Sequence, residues 1–143
     1  MPKLLEMPRL NKRLLFVDDE RGIRETLQFI LKRYGYTVTL ASKVSEALEQ
    51  IDQHEFDILL CDLNLEREND GFNVVRAMQA KNPRCATLIL TAYPAVESAV
   101  EGIRLHIDDY IIKPTNADAL VALLAERLRH QSVKPNETLA ADA

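Results

Sequence analysis

Five short apolar runs alternate along this chain with stretches of helical periodicity, and four of the runs stop at a polar side chain suited to chemistry. Leu14-Leu15-Phe16-Val17 meets Asp18-Asp19, and Ile58-Leu59-Leu60-Cys61 meets Asp62. Leu88-Ile89-Leu90 meets Thr91, and Tyr110-Ile111-Ile112 meets Lys113-Pro114. Short unbroken runs of Ile, Leu and Val suit strands buried on both faces of a parallel sheet. The remaining run, Tyr36-Thr37-Val38-Thr39-Leu40, alternates and reads as an edge strand. Ligands bind such sheets outside the carboxyl ends of the strands. Three carboxylates, a hydroxyl and an ammonium, far apart in sequence, are therefore expected to meet at one sheet edge. That mixture suits a divalent cation together with a phosphoryl group.

The strands are expected at 13–17, 36–40, 57–61, 86–90 and 109–112. Between them lie helical patterns carrying Ile23, Leu27, Ile30, Leu31 and Tyr34; then Val44, Ala47, Leu48 and Ile51; then Phe72, Val75 and Met78. A fourth helix, with Pro94 in its first turn, would turn Val96, Ala99, Val100 and Ile103 inward. A fifth, capped by Asn116, would bury Ala117, Leu120, Val121, Leu124 and Leu128. Ser42 is the expected cap of the second helix, and Gly35 the end of the first. The sum is an α/β, doubly wound, flavodoxin-like fold of five parallel strands and five helices. Order 2-1-3-4-5 places the alternating strand at an edge. Residues 1–11 read as a flexible arm, 12–130 as the domain, and 131–143 as a disordered tail or linker.

Composition narrows the partners. The 143 residues carry a formal net charge of −4, so charge alone does not suggest DNA or RNA binding, and no direct nucleic-acid partner is expected. No stretch is long and apolar enough to span a membrane, and the N-terminus lacks a signal core, so a cytoplasmic protein is expected. Cys61 and Cys85 are isolated in or beside apolar runs and read as reduced core residues.

Each site residue also has an ordinary explanation. Acids at a strand-to-helix junction cap helices. But Asp18, Asp19 and Glu20 bring more negative charge than a cap needs, and Asp62 adds to it. A magnesium ion would hold Asp62 ionised, available as a nucleophile toward a phosphoryl group. Thr91 alone fits a β-branched strand position, and an isolated Lys113 would be solvated. As a group they supply the hydroxyl donor and cation that a phosphorylated Asp62 requires.

Phe16-Val17-Asp18-Asp19-Glu20, Cys61-Asp62-Leu63-Asn64, Leu90-Thr91-Ala92 and Asp109-Tyr110-Ile111-Ile112-Lys113-Pro114 together resemble the receiver domain of two-component response regulators. The resemblance implies that Asp62 accepts a phosphoryl group from a sensor histidine kinase or histidine phosphotransfer protein. It implies Mg2+ (or Mn2+) held by Asp19 and Asp62, by the Asn64 main-chain carbonyl, and by Asp18 through a water. Thr91, Lys113 and the Ala92 amide would bind the phosphoryl oxygens, and a cis Lys113–Pro114 bond is expected. Thr91 and Tyr110 match the family's switch pair, which re-sets the surface of the fourth helix, fifth strand and fifth helix for an unknown downstream effector. The resemblance also allows a homodimer through that face. It implies no enzyme beyond self-catalysed phosphotransfer and dephosphorylation.

Three positions depart from the family. Leu65-Glu66 replaces a hydrophobe-proline pair and Gly71 comes one residue late, so the loop after Asp62 is longer and charged, with mobility expected. His106 stands where the family has glycine, and reads as a tolerated cap, not a relay histidine. Tyr93, two residues past Thr91, is expected to slow self-dephosphorylation by shielding the phosphoaspartate. Rival readings fit less well. A haloacid-dehalogenase-type hydrolase wants a second acid where Asn64 stands. A flavodoxin-like mononucleotide binder would be repelled by Asp18-Asp19-Glu20. A phosphorylation-independent docking receiver would not need the full acceptor set.

Overall fold

A computed structural model describes residues 11–130. The elements alternate strictly: β1 (Arg13–Val17), α1 (Arg21–Arg33), β2 (Thr37–Ala41), α2 (Val44–Gln53), β3 (Ile58–Asp62), α3 (Gly71–Lys81), β4 (Ala86–Thr91), α4 (Val96–Arg104), β5 (Asp109–Ile112) and α5 (Ala117–His130). All five strands are parallel, in the order β2-β1-β3-β4-β5. The expected strands are all present, three of them shifted or extended by a residue. The 1–11 arm, except Asn11, and the 131–143 tail lie outside the described residues.

The sheet divides the core in two. On one face Leu15, Val17, Leu59, Cys61 and Ile89 pack with Ala47, Ile51, Phe72, Val75 and Met78 of α2 and α3. On the other, Leu14, Phe16, Ile58, Leu60, Leu88 and Leu90 pack with Leu31 of α1 and with Leu120, Val121 and Leu124 of α5. The unbroken runs of β1, β3 and β4 are thus explained: successive side chains point to opposite faces, and both faces are covered. β5, expected to be buried in the same way, is the far edge of the sheet and only half-buried, with Ile112 55% exposed.

The fourth helix departs from expectation. Val96 and Ile103 are 75% and 72% exposed, Val100 is exposed too, and the residues α4 buries are Ser98 and Gly102. The helix lies close on its small residues: a Cβ on Gly102 would come within 2.7 Å of Ile107 Cδ1. Periodicity locates an apolar face, but here the face against the body is the one that permits close approach. Pro94 precedes the helix, which Ala95 flanks.

Two caps also resolve. Asn116 accepts the Asp118 and Ala119 N–H groups at 2.8 and 3.2 Å, as its position implies. Ser42 does not cap α2; its own N–H and hydroxyl both donate to Glu46 Oε1. Leu48 of α2 is exposed. His106 adopts φ 56°, the left-handed geometry that glycine takes most cheaply.

Tyr36 gives a pH-dependent test of the fold. Its hydroxyl is buried, with no partner among the described residues. Burial pushes the phenol up to about 12. The folded state therefore binds this proton more tightly than the unfolded chain, so its contribution is whole below about pH 10 and is lost as pH rises toward the folded value. Tyr36→Phe is expected to flatten that alkaline decline and to leave neutral stability equal or up to about 1 kcal/mol higher. Urea midpoints of both chains at neutral and alkaline pH check it; a steeper alkaline loss in Tyr36→Phe would contradict it.

Candidate functional site

The register brings the strand ends together. Val17 pairs with Cys61, so Asp18 and Asp62 leave neighbouring strands at the same level. Asp62 pairs with Leu90, and Thr91 with Ile112, which sets Thr91 one residue beyond and Lys113 at the end of β5. Lys113 reaches back across β4. Its ammonium lies 2.7 Å from Asp18 Oδ2 and 3.2 Å from Asp62 Oδ2.

Every member of this group is shielded except Asp19, which is exposed. Asp18 is fully buried; its Oδ1 accepts the Glu20 N–H at 2.9 Å, while Arg24 donates to its carbonyl at 2.7 Å. Asp18 thus orders the turn ahead of α1 without capping a free N–H of the helix, and its second oxygen serves Lys113. Asp62 is nearly buried, and its Oδ1 accepts the Asn64 N–H at 3.4 Å. Burial pushes the Asp62 carboxyl above its ordinary range, with Asp18 adding to the shift and Lys113 and the Asn64 N–H opposing it. For Lys113, burial works against the charge, but Asp18 and Asp62 outweigh it and hold the ammonium's proton more tightly than usual.

One carboxylate oxygen each from Asp18, Asp19 and Asp62 lie within 4.8 Å of one another. Among the described residues, Lys113 is the cation that touches Asp18 and Asp62, which leaves these carboxylates with an excess of negative charge. All-oxygen ligands, part exposed and part buried, fit a hard divalent cation such as Mg2+. Cys61 is no rival nucleophile: burial pushes its thiol well up, and it donates to the Asp62 carbonyl at 3.3 Å.

Thr91 is buried, and its hydroxyl oxygen accepts the Tyr93 N–H at 3.0 Å. Tyr110 packs against the α2–α3 side of the core, with its hydroxyl 2.7 Å from Ser98 Oγ. Ala92 is exposed, and Tyr93 stands apart with 77% of its surface in solvent. The Lys113–Pro114 bond is cis.

The loop after Asp62 has an anchor that helical and strand periodicity do not reveal. The buried Asp70 carboxylate accepts the Leu65, Glu66 and Arg67 N–H groups at 2.7, 3.0 and 3.0 Å, and Asn64 Oδ1 accepts the Asn69 N–H at 2.7 Å. The segment expected to be mobile is thus tied at several points. The available signal was an aspartate directly before a glycine; short acidic side chains fold back on nearby backbone. Gly71, one residue late against the family pattern, donates its N–H to the Leu63 carbonyl at 2.8 Å and sits against the backbone of Asp62.

A five-stranded 2-1-3-4-5 sheet with an acidic cluster, a threonine and a lysine at its carboxyl edge defines a phosphoryl-responsive signalling module. The sequence profile of the response regulator receiver domain matches residues 14–125, and the chain belongs to that family. It is 40% identical over 130 residues to the transcriptional regulatory protein ZraR of Escherichia coli (strain K12), covering 91% of this chain and 29% of that protein. The chain thus spans under a third of that relative's length. Among solved structures, it is similar to a CheY-like receiver domain from Methanospirillum hungatei JF-1, with TM-score 0.81, 30% identity, and coverage of 85% of this chain and 97% of the other. It is also similar to a Burkholderia pseudomallei response regulator solved with a phosphorylated aspartic acid, a calcium ion and citrate, with TM-score 0.75, 28% identity, and coverage of 93% and 74%.

Proposed function

We propose that Asp62 is the phosphoacceptor of this receiver. Its carboxylate oxygen attacks the phosphorus of a phosphohistidine on a sensor histidine kinase or phosphotransfer protein; the P–N bond breaks, a P–O bond forms, and the histidine leaves neutral after taking a proton. The observation that carries this reading is Lys113 bridging Asp18 and Asp62 inside an acidic cluster. Asp19, Asp62 and the Asn64 main-chain carbonyl would hold Mg2+ (or Mn2+), with Asp18 acting through a water. The Asn64 side-chain oxygen is already engaged by Asn69, which favours its carbonyl for that role. Bound magnesium supplies positive charge against the phosphoryl oxygens. Lys113 neutralises the same oxygens, and Thr91 and the Ala92 amide donate to them.

Thr91 and Tyr110 form the switch, and the surface of α4, β5 and α5 is the output. Val96, Val100, Ile103 and Ile112 leave that surface rich in exposed apolar side chains, as a face that changes partner should be. The effector it serves, or a second copy of the chain, docks there. No described helix is long and apolar enough to cross a membrane, and the relatives are transcriptional regulators, which supports a cytoplasmic location. Self-catalysed phosphotransfer and dephosphorylation are the only chemistry in this reading.

Incubation with acetyl phosphate or beryllofluoride, with and without Mg2+, tests the central claim. Native protein is expected to gain a magnesium-dependent modification that Asp62→Ala lacks; modification of both chains, or of neither, would remove Asp62 from its role. Tyr93 is proposed to shield the phosphoaspartate. Tyr93→Ala is expected to shorten the half-life of phosphorylated Asp62, followed by loss of labelled phosphate, and an unchanged half-life would refute the shielding role.

A further inference from the structure

Resting on the receiver reading above, we infer that Ser98 is a positioning residue for the switch: its hydroxyl holds Tyr110 against the first turn of α4. Thr91 and Tyr110 then tether the two ends of the segment that joins β4 to α4.

The proton count decides the direction of each bond. Ser98 is 3% exposed, on the packed side of α4. Its Oγ lies 3.0 Å from the Ala95 carbonyl and 2.7 Å from the Tyr110 hydroxyl. A hydroxyl has one proton to give, and a carbonyl only accepts. Ser98 therefore donates to Ala95, and Tyr110 donates to Ser98. The Tyr110 oxygen is left with its lone pairs, and the Ala95 N–H donates to it at 3.5 Å. Tyr110, Ser98 and Ala95 form a closed circuit in which each contact has one donor and one acceptor.

The ordinary role of such a serine is to bond back to its own helix. That accounts for Ala95 but not for Tyr110, which belongs to β5. The other end of the segment is held the same way, since the Tyr93 N–H donates to Thr91 Oγ1 at 3.0 Å. Turning Thr91 toward a phosphoryl group on Asp62 gives up that bond. The segment then hangs on Tyr110 and Ser98, and Ala95 passes the change directly to the start of α4. Without the Ser98 hydroxyl, Tyr110 loses its buried acceptor, and movement of Thr91 is no longer transmitted to Val96, Val100 and Ile103.

The test uses the full chain, labelled with nitrogen-15, with Mg2+ and beryllofluoride as the probe. Before beryllofluoride, Ser98→Ala and Tyr110→Phe are each expected to displace the amides of residues 93–98, and the double variant to displace them no further. On adding beryllofluoride, the response of residues 62–64 is kept in Ser98→Ala. The response of α4 falls about fivefold, the size of one lost hydrogen bond. Ser98→Thr, which keeps the hydroxyl, restores it. An α4 response in Ser98→Ala as large as in native protein overturns the inference, as do fully additive displacements in the double variant. If native protein shows no response at residues 62–64, the receiver reading fails instead, and the additivity of the displacements in the free protein still decides the role of Ser98.

Discussion

Lys113→Met is expected to lower stability by about 3 kcal/mol at neutral pH without divalent cations, because it leaves two buried carboxylates facing each other with no cation between them. In native protein that ammonium sits 2.7 Å from Asp18 and 3.2 Å from Asp62, and is itself only 17% exposed. The pH dependence has a definite sign. Burial already raises the Asp62 carboxyl, and removing Lys113 raises it further. A folded-state value above the unfolded one means the variant keeps its stability below the unfolded range, about pH 4, and loses it as pH rises through the folded value. Urea midpoints should therefore nearly coincide in acid and diverge toward neutrality. Adding Asp62→Asn should recover part of the loss. Magnesium should also recover stability, by about 2.7 kcal/mol at a hundredfold excess over its dissociation constant, provided the variant still binds it. Equal midpoints for native and Lys113→Met at neutral pH would mean that the acidic cluster is not held by this lysine.

Gly71→Ala is expected to be as damaging from a single methyl group. A Cβ there would lie 2.2 Å from the Asp62 carbonyl oxygen and 2.9 Å from Leu63 Cα. Both are backbone atoms, so neither can swing aside. Either α3 retreats or the end of β3 moves, and an overpacked core of this kind costs about 3 kcal/mol. The same displacement carries Asp62 out of register with Asp18 and Lys113, so magnesium-dependent modification should fall along with stability. Gly22→Ala is the control. Gly22 lies in the first turn of α1 with nothing within 4 Å of its Cβ position. That change should be neutral or stabilising by up to about 1 kcal/mol. Indistinguishable thermal midpoints for the two alanine variants would refute the argument.

The two cases differ in how far they could be read in advance. Lys113 stands out because it closes an apolar run, and it lies at the carboxyl edge of the sheet. Gly71 was visible only as a glycine arriving one residue late. Its close approach depends on how α3 folds back over Asp62, and no local pattern encodes that. Asp70 was similar: a single aspartate before a glycine that turns out to gather three backbone N–H groups. Val96, Val100 and Ile103 recur at the helical spacing of an inner face, yet α4 presents them outward.

Local chemistry therefore determined the strands, their order of appearance and the polar side chain at each strand end. Buried parallel strands must be apolar on both faces, and the chain must turn polar where it leaves the sheet. Tertiary structure decided which helix face packs, how the loop after Asp62 is tied, and that Tyr110 meets Ser98. Those outcomes depend on steric room between elements distant in sequence. Periodicity shows that a helix has an apolar side; only the neighbours determine whether Gly102 and Ser98 allow a closer fit than Val96 and Ile103.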